Sequence, residues 1–186
     1  MGTRLIRCAR LGASLQACML FLPTLAQAQA ISGVIDSSIT LVDGCVINGS
    51  EASGGDTGVD FGDIDFGTAP AVFDAEDSTV AGGGANGVEV LCSPGVEPTF
   101  ALTSGLNDGA ASEGLHAMAN GAGDFVGYSL YRDAARTDLI GLGETVALTT
   151  FDGTPQVIEL YGRAFGAGGA LPSGTYTDTL SVELTF

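Results

Sequence analysis

The chain of 186 residues has no tryptophan, a single histidine and six cationic side chains, all arginine, so lysine is absent too. Arg4, Arg7 and Arg10 sit at the start, and beyond residue 30 only Arg132, Arg136 and Arg163 face 22 carboxylates, a formal charge of −19 with histidine neutral. That surface repels phosphate backbones, which makes nucleic acid a poor partner, and anionic membrane surfaces are disfavoured for the same reason. Zinc chemistry lacks ligands: the two cysteines beyond residue 30 lie far apart, and His116 stands alone in "SEGLHAMANGAG". No serine sits in a nucleophile elbow or a recognisable triad.

Long apolar runs are also missing, with one exception. Leu11 to Leu25 is apolar, follows the three arginines, and leads into "AQAQA", with small residues placed for cleavage after Ala28 or Ala30. Residues 1–30 therefore read as a secretory signal peptide, too short and too broken for a spanning helix. A lipoprotein reading of "LQAC" at Cys18 is weakened by Gln16 and by the apolar residues beyond Cys18. Two cysteines, Cys45 and Cys92, remain after processing. In an oxidising compartment the default is one disulfide between them; the alternative is two free buried thiols.

What remains is rich in glycine and in short alternating runs, while helix signals are nearly absent. The runs "VDFGDIDF", "GVEVLC", "TFALTS", "FVGYSLYR", "ETVALTTF" and "PQVIELYGRA", with a run at each extreme of the mature chain, predict an all-β sandwich. "EASGGDTG", "AGGGANG" and "GLNDGAASEG" read as exposed loops. In the last run, Leu180, Val182, Leu184 and Phe186 are apolar and Thr177, Thr179, Ser181, Glu183 and Thr185 polar. That strict period of two marks a strand with one face in a core. The first run, "ISGVIDSSITLV", places Ile31, Ile35, Ile39 and Leu41 on one face. It is either an ordinary first strand or a strand meant for another molecule.

The charged clusters have plain explanations. Asp60, Asp63 and Asp65 in "DFGDIDFG" could suggest calcium or paired acids, yet the spacing breaks the EF-hand pattern, and a solvated acidic face is the better reading. "YRDAARTDLIG" reads as a turn tied by local ion pairs of small worth. His116 reads as a solvated loop residue. Asn48-Gly49-Ser50 matches a glycosylation sequon, a weak signal.

Together, "DIDFGTAPAV", "GVEVLCSPG", "YSLYRDAARTDLIG" and "VIELYGRAFGAGGALPSGTYTDTLSVELTF" resemble the spore coat protein U domain, the fold of archaic chaperone–usher pilins. The closing segment is the most specific part. The resemblance implies an incomplete immunoglobulin-like β-sandwich, completed by a donor strand from a neighbouring subunit. It implies an organisation of signal peptide (1–30), N-terminal donor strand (31–42) and pilin domain (43–186). Ile31, Ile35, Ile39 and Leu41 would fill a groove whose edge strand carries Leu180, Val182, Leu184 and Phe186. The implied partners are identical or related pilin subunits, a periplasmic chaperone and an outer-membrane usher. The implied setting is a cell-surface fimbrium or extracellular coat that supports attachment or biofilm formation, with no enzymatic activity and no cofactor. The competing reading is a self-contained secreted binding module for carbohydrate or calcium.

The secreted form is expected to start at Gln29 or Ile31. Intact-mass measurement of the secreted protein, before and after reduction and alkylation, checks both the cleavage and the Cys45–Cys92 bridge. Two thiols alkylated without reductant would exclude the bridge.

Overall fold

The computed structural model describes residues 29–83 and 87–186, so all but the last two residues of the expected signal peptide lie outside the described residues. By its internal contacts the chain divides into a unit ending at Ile39 and a second unit, Thr40–Phe186. Residues 29–39 of the first carry no regular secondary structure.

Twelve strands and no helix are found among the described residues. In chain order they are β1 (Cys45–Ile47), β2 (Ser50–Ala52), β3 (Asp63–Ile64), β4 (Ala75–Ala81), β5 (Gly87–Cys92) and β6 (Thr99–Gly105). There follow β7 (His116–Ala119), β8 (Phe125–Tyr131), β9 (Thr145–Ala147), β10 (Gln156–Glu159), β11 (Tyr161–Phe165) and β12 (Leu180–Thr185). They form three antiparallel groups in the orders β10-β5-β1-β2, β3-β4-β11-β8-β7 and β12-β6-β9. The fold is all-β, as the alternation implied.

Alternation builds the core directly. Val88, Val90 and Cys92 of β5 and Phe100 and Leu102 of β6 point inward and are buried with Leu130, Ile140 and Phe151. Cys45 and Cys92 are register partners on β1 and β5, their Cα atoms are 4.0 Å apart, and they are disulfide-bonded. The bridge closes a separation of 47 residues inside this core, where loop closure is worth roughly 4 kcal/mol on a chain-entropy view.

Several sequence expectations are corrected. The expected strand "PQVIELYGRA" is two strands: β10 pairs with β5, the chain turns at buried Leu160, and β11 then pairs with β4 and β8. A strand that switches sheets in this way makes the corner of a sandwich. "VDFGDIDF" forms only the two-residue β3, and "ETVALTTF" only the three-residue β9. The strand expected over 31–42 is not formed within this chain. β11 is crossed closely because Gly162 has no side chain: Ile64 and Phe66 occupy the space its Cβ would need.

β1 and β2 are joined by the two-residue turn Asn48-Gly49, with φ of 48° and 81°. Both central residues in the left-handed region make this the hairpin turn that Asn-Gly favours. The Asn48 side-chain amide makes three hydrogen bonds to backbone groups. Its Oδ1 accepts from Gly83 N (2.7 Å) and Glu89 N (3.0 Å), and its Nδ2 donates to Asp60 O (3.1 Å). The sequon is thus a structural turn. Replacing Asn48 by Gly keeps the turn and loses these bonds, so urea unfolding of the mature protein should show a loss of about 1–2 kcal/mol. Asn48→Ala adds backbone strain and should cost about 1 kcal/mol more.

Candidate functional site: the C-terminal edge strand

β12 has one neighbour. It runs antiparallel to β6, from Leu180 opposite Gly105 to Thr185 opposite Thr99, with a register shift at Ser181/Val182. No described strand pairs with its other side. Of the strands at sheet edges it is the longest, at 6 residues against 2 to 4 for the others. A long regular edge leaves a row of amide and carbonyl groups available for pairing.

The face of β12 matches that open edge. Ser181, Glu183 and Thr185 are exposed, whereas Leu180, Val182 and Leu184 lie against the core but are only half-buried. Phe186 is 39% exposed. Val59, Phe61 and Ile64 are likewise partly covered on the same core, with the Phe61 ring 6.2 Å from that of Phe100. Ile31, Ile35, Ile39 and Leu41, four large apolar side chains, are between 82% and 101% exposed.

A polar network fixes the start of β12. The Tyr128 hydroxyl donates to Asp178 Oδ2 (2.8 Å) and Asn107 Nδ2 to Asp178 Oδ1 (3.2 Å). Thr177 exchanges backbone bonds of 2.9 and 3.0 Å with Ala119, and Leu106 N donates to Thr179 O (3.2 Å). Behind it, His116 Nδ1 lies 2.7 Å from Asp108 Oδ1, while Asp108 Oδ2 accepts from Gly105 N, the residue opposite Leu180. His116 was expected in a solvated loop; it is instead 1% exposed, on β7, its ring 5.3 Å from that of Tyr128. The short apolar run "HAMA" ahead of an Asn-Gly-rich turn and β8 was the overlooked signal.

The other charged residues settle as follows. Asp60 Oδ1 accepts from Gly62 N (2.8 Å) and Asp65 Oδ1 from Gly67 N (2.7 Å), so two of the three clustered carboxylates cap their own turns. Asp63 and Asp65 do not share a strand, since β3 ends at Ile64. Among the described residues no three His, Cys, Asp or Glu side chains gather as metal ligands. Asp133 accepts from Thr137 N, Thr137 Oγ1 and Asp138 N, and the Asp138 amide above all holds its carboxyl below the usual range. The expected purely local pairing of "YRDAARTDLIG" is corrected at Arg136. Its Nε reaches Asp77 (3.2 Å) on β4 and donates to Gly162 O (2.9 Å), and Arg163 binds the same carboxylate through two bonds. Arg132 pairs with Glu144 and lies near Asp138.

The site therefore belongs to a β-sandwich distinguished by the open edge at β12. The family model of the Spore Coat Protein U domain matches residues 31–183, and the chain belongs to that family. Among solved structures, it is similar to the crystal structure of the CsuC–CsuE chaperone–tip adhesion subunit pre-assembly complex from archaic chaperone–usher Csu pili of Acinetobacter baumannii. Identity there is 20%, the match covers 79% of this chain and 40% of that chain, and the TM-score is 0.45. No curated protein matches the chain.

Burial first, and then the bond to Asp178, raise the Tyr128 pKa above the usual tyrosine value of 10.0. The folded state thus keeps Tyr128 neutral where an unfolded chain would ionise it, so this stabilisation is full below pH 10 and falls as pH rises beyond it. Tyr128→Phe should lose about 1.5–3 kcal/mol at pH 8 by removing a hydrogen bond to a charged group. It should also flatten the decline between pH 10 and 11, read from urea midpoints across that range.

Proposed function

We propose that this chain is a structural subunit of an extracellular fibre of the archaic chaperone–usher kind, or of a coat, that polymerises by donor-strand exchange. Residues 31–42 of one copy would lie along the open side of β12 of the next. Ile31, Ile35, Ile39 and Leu41 would enter the groove beside Leu180, Val182, Leu184 and Phe186. The observation that carries this reading is the juxtaposition in one chain of an amphipathic segment without a partner and a long edge strand with a half-covered apolar face. Each supplies what the other lacks.

The energetics favour a durable joint. Full burial of four such side chains contributes about 6–12 kcal/mol as an upper estimate, and backbone pairing satisfies amides along the edge. Before assembly, the same groove invites aggregation, which a periplasmic chaperone would prevent and an outer-membrane usher would relieve. Family membership supports this pairing of partners, and the similar structure named above is described as a chaperone–subunit pre-assembly complex. The product would be a surface fimbrium or coat serving attachment or biofilm formation, without catalysis.

Deleting residues 31–42 should leave a subunit that a chaperone still holds but that cannot extend a polymer. Ile35→Asp or Ile39→Asp should act similarly, because an unpaired charge in an apolar groove is costly. Moving residues 31–42 to follow Phe186 through a short Gly/Asn turn should give a chaperone-independent monomer with a raised Tm. A native-order monomer that is already as heat-stable as the rearranged one would overturn the reading.

A further inference from the structure

A second feature lies on the β3-β4-β11-β8-β7 sheet. Side chains on a strand alternate between faces, and β4 and β11 pair Asp77 with Arg163 and, one step on, Glu76 with Ala164. The Asp77 face carries the ion pairs to Arg136 and Arg163. The Glu76 face opens into a cleft of about 470 Å³, roofed by the loops around 66–73 and 171–176. The loops are fastened to each other by Leu171 N to Ala71 O (2.9 Å), and Tyr176 Oη donates to Pro172 O (2.9 Å). Phe66, Phe73, Tyr176 and Met118 wall the cleft, and Glu76 lines it together with Asp65, whose Oδ1 caps its own turn.

The carboxylate of Glu76 takes part in no ion pair among the described residues, although its neighbour Asp77 is held by two arginines. Among the described residues no cationic side chain is left over for it. Lysine is absent, and Arg132, Arg136 and Arg163 are each committed to other carboxylates. A second copy has the same shortage, apart from its terminal amine. Aromatic faces beside an uncompensated carboxylate suit a cation on an apolar body, and the large negative charge of the surface draws cations inward.

We propose that this cleft binds a small amphiphilic organic cation, an ammonium or guanidinium group on an apolar or aromatic body, with Glu76 as its counter-ion. The apolar part sits among Phe66, Phe73 and Met118, and the charged head lies between Glu76 and the aromatic walls. The site is independent of the fibre reading, since neither β12 nor residues 31–42 contribute to its lining.

The test uses the secreted mature protein with Thr68→Trp at the exposed rim, a unique reporter because the chain has no other tryptophan. Phenethylammonium should bind saturably and about tenfold more tightly than neutral 2-phenylethanol, while 3-phenylpropionate should not bind. Glu76→Gln, of the same shape, should erase the preference for the ammonium, and Glu76→Asp should restore part of it. Equal affinity for the ammonium and the alcohol in the unmodified site would overturn the proposal, as would a Glu76→Gln variant that keeps the preference. So would displacement of the probe by a peptide of residues 31–42 with a free amino terminus but not by its acetylated form, which would give the cleft to a neighbour's terminus.

Discussion

Backbone amides and carbonyls that leave water must find partners, and with no helix among the described residues that pairing runs between strands or through turns. Everything else in this fold bends to that constraint. Strands are short, the chain changes sheets at Leu160, and the Asn48 side-chain amide bonds three backbone groups, Gly83 N, Glu89 N and Asp60 O. Where pairing stops, at the outer side of β12, the core is also left half-covered, because a missing neighbour withholds side chains together with hydrogen bonds. Backbone demand and apolar demand thus coincide at one edge.

That edge is held ready rather than left loose. Asp178 and Thr177, just ahead of β12, are tied to Tyr128, Asn107 and Ala119, and Asp108 links buried His116 to the Gly105 backbone opposite Leu180. A strand added to a preordered edge loses less conformational entropy than one that must order its partner. The groups of this network bind one another and hold the start of β12 in place.

Charge scarcity shapes the rest of the surface. Three arginines serve a domain with 22 carboxylates, and Arg136 and Arg163 both go to Asp77, where they join the Arg136 turn to β4 and β11. Most carboxylates stay in water or cap turns, as Asp60, Asp65 and Asp133 do. Glu76 differs because its strand position turns it toward an aromatic-walled cleft.

The local pattern of the chain determined much of this: β6 and β12 alternate because one face of each meets the core, and the two cysteines beyond residue 30 had one available partner each. The family pattern, not the alternation, is what implied an immunoglobulin-like class. Other elements were illegible for physical reasons. β4, "AEDSTVA", looks like a loop because its Asp77 is answered by arginines 59 and 86 positions away in the chain, Arg136 and Arg163. β1 and β2 are too short to show a period, although their Asn-Gly turn announced a hairpin. Tertiary structure alone decided the burial of His116, the break at Leu160, the outreach of Arg136 and the position of β12 at an edge. Each depends on which strands meet, and pairing between segments distant in sequence leaves no local periodicity to read.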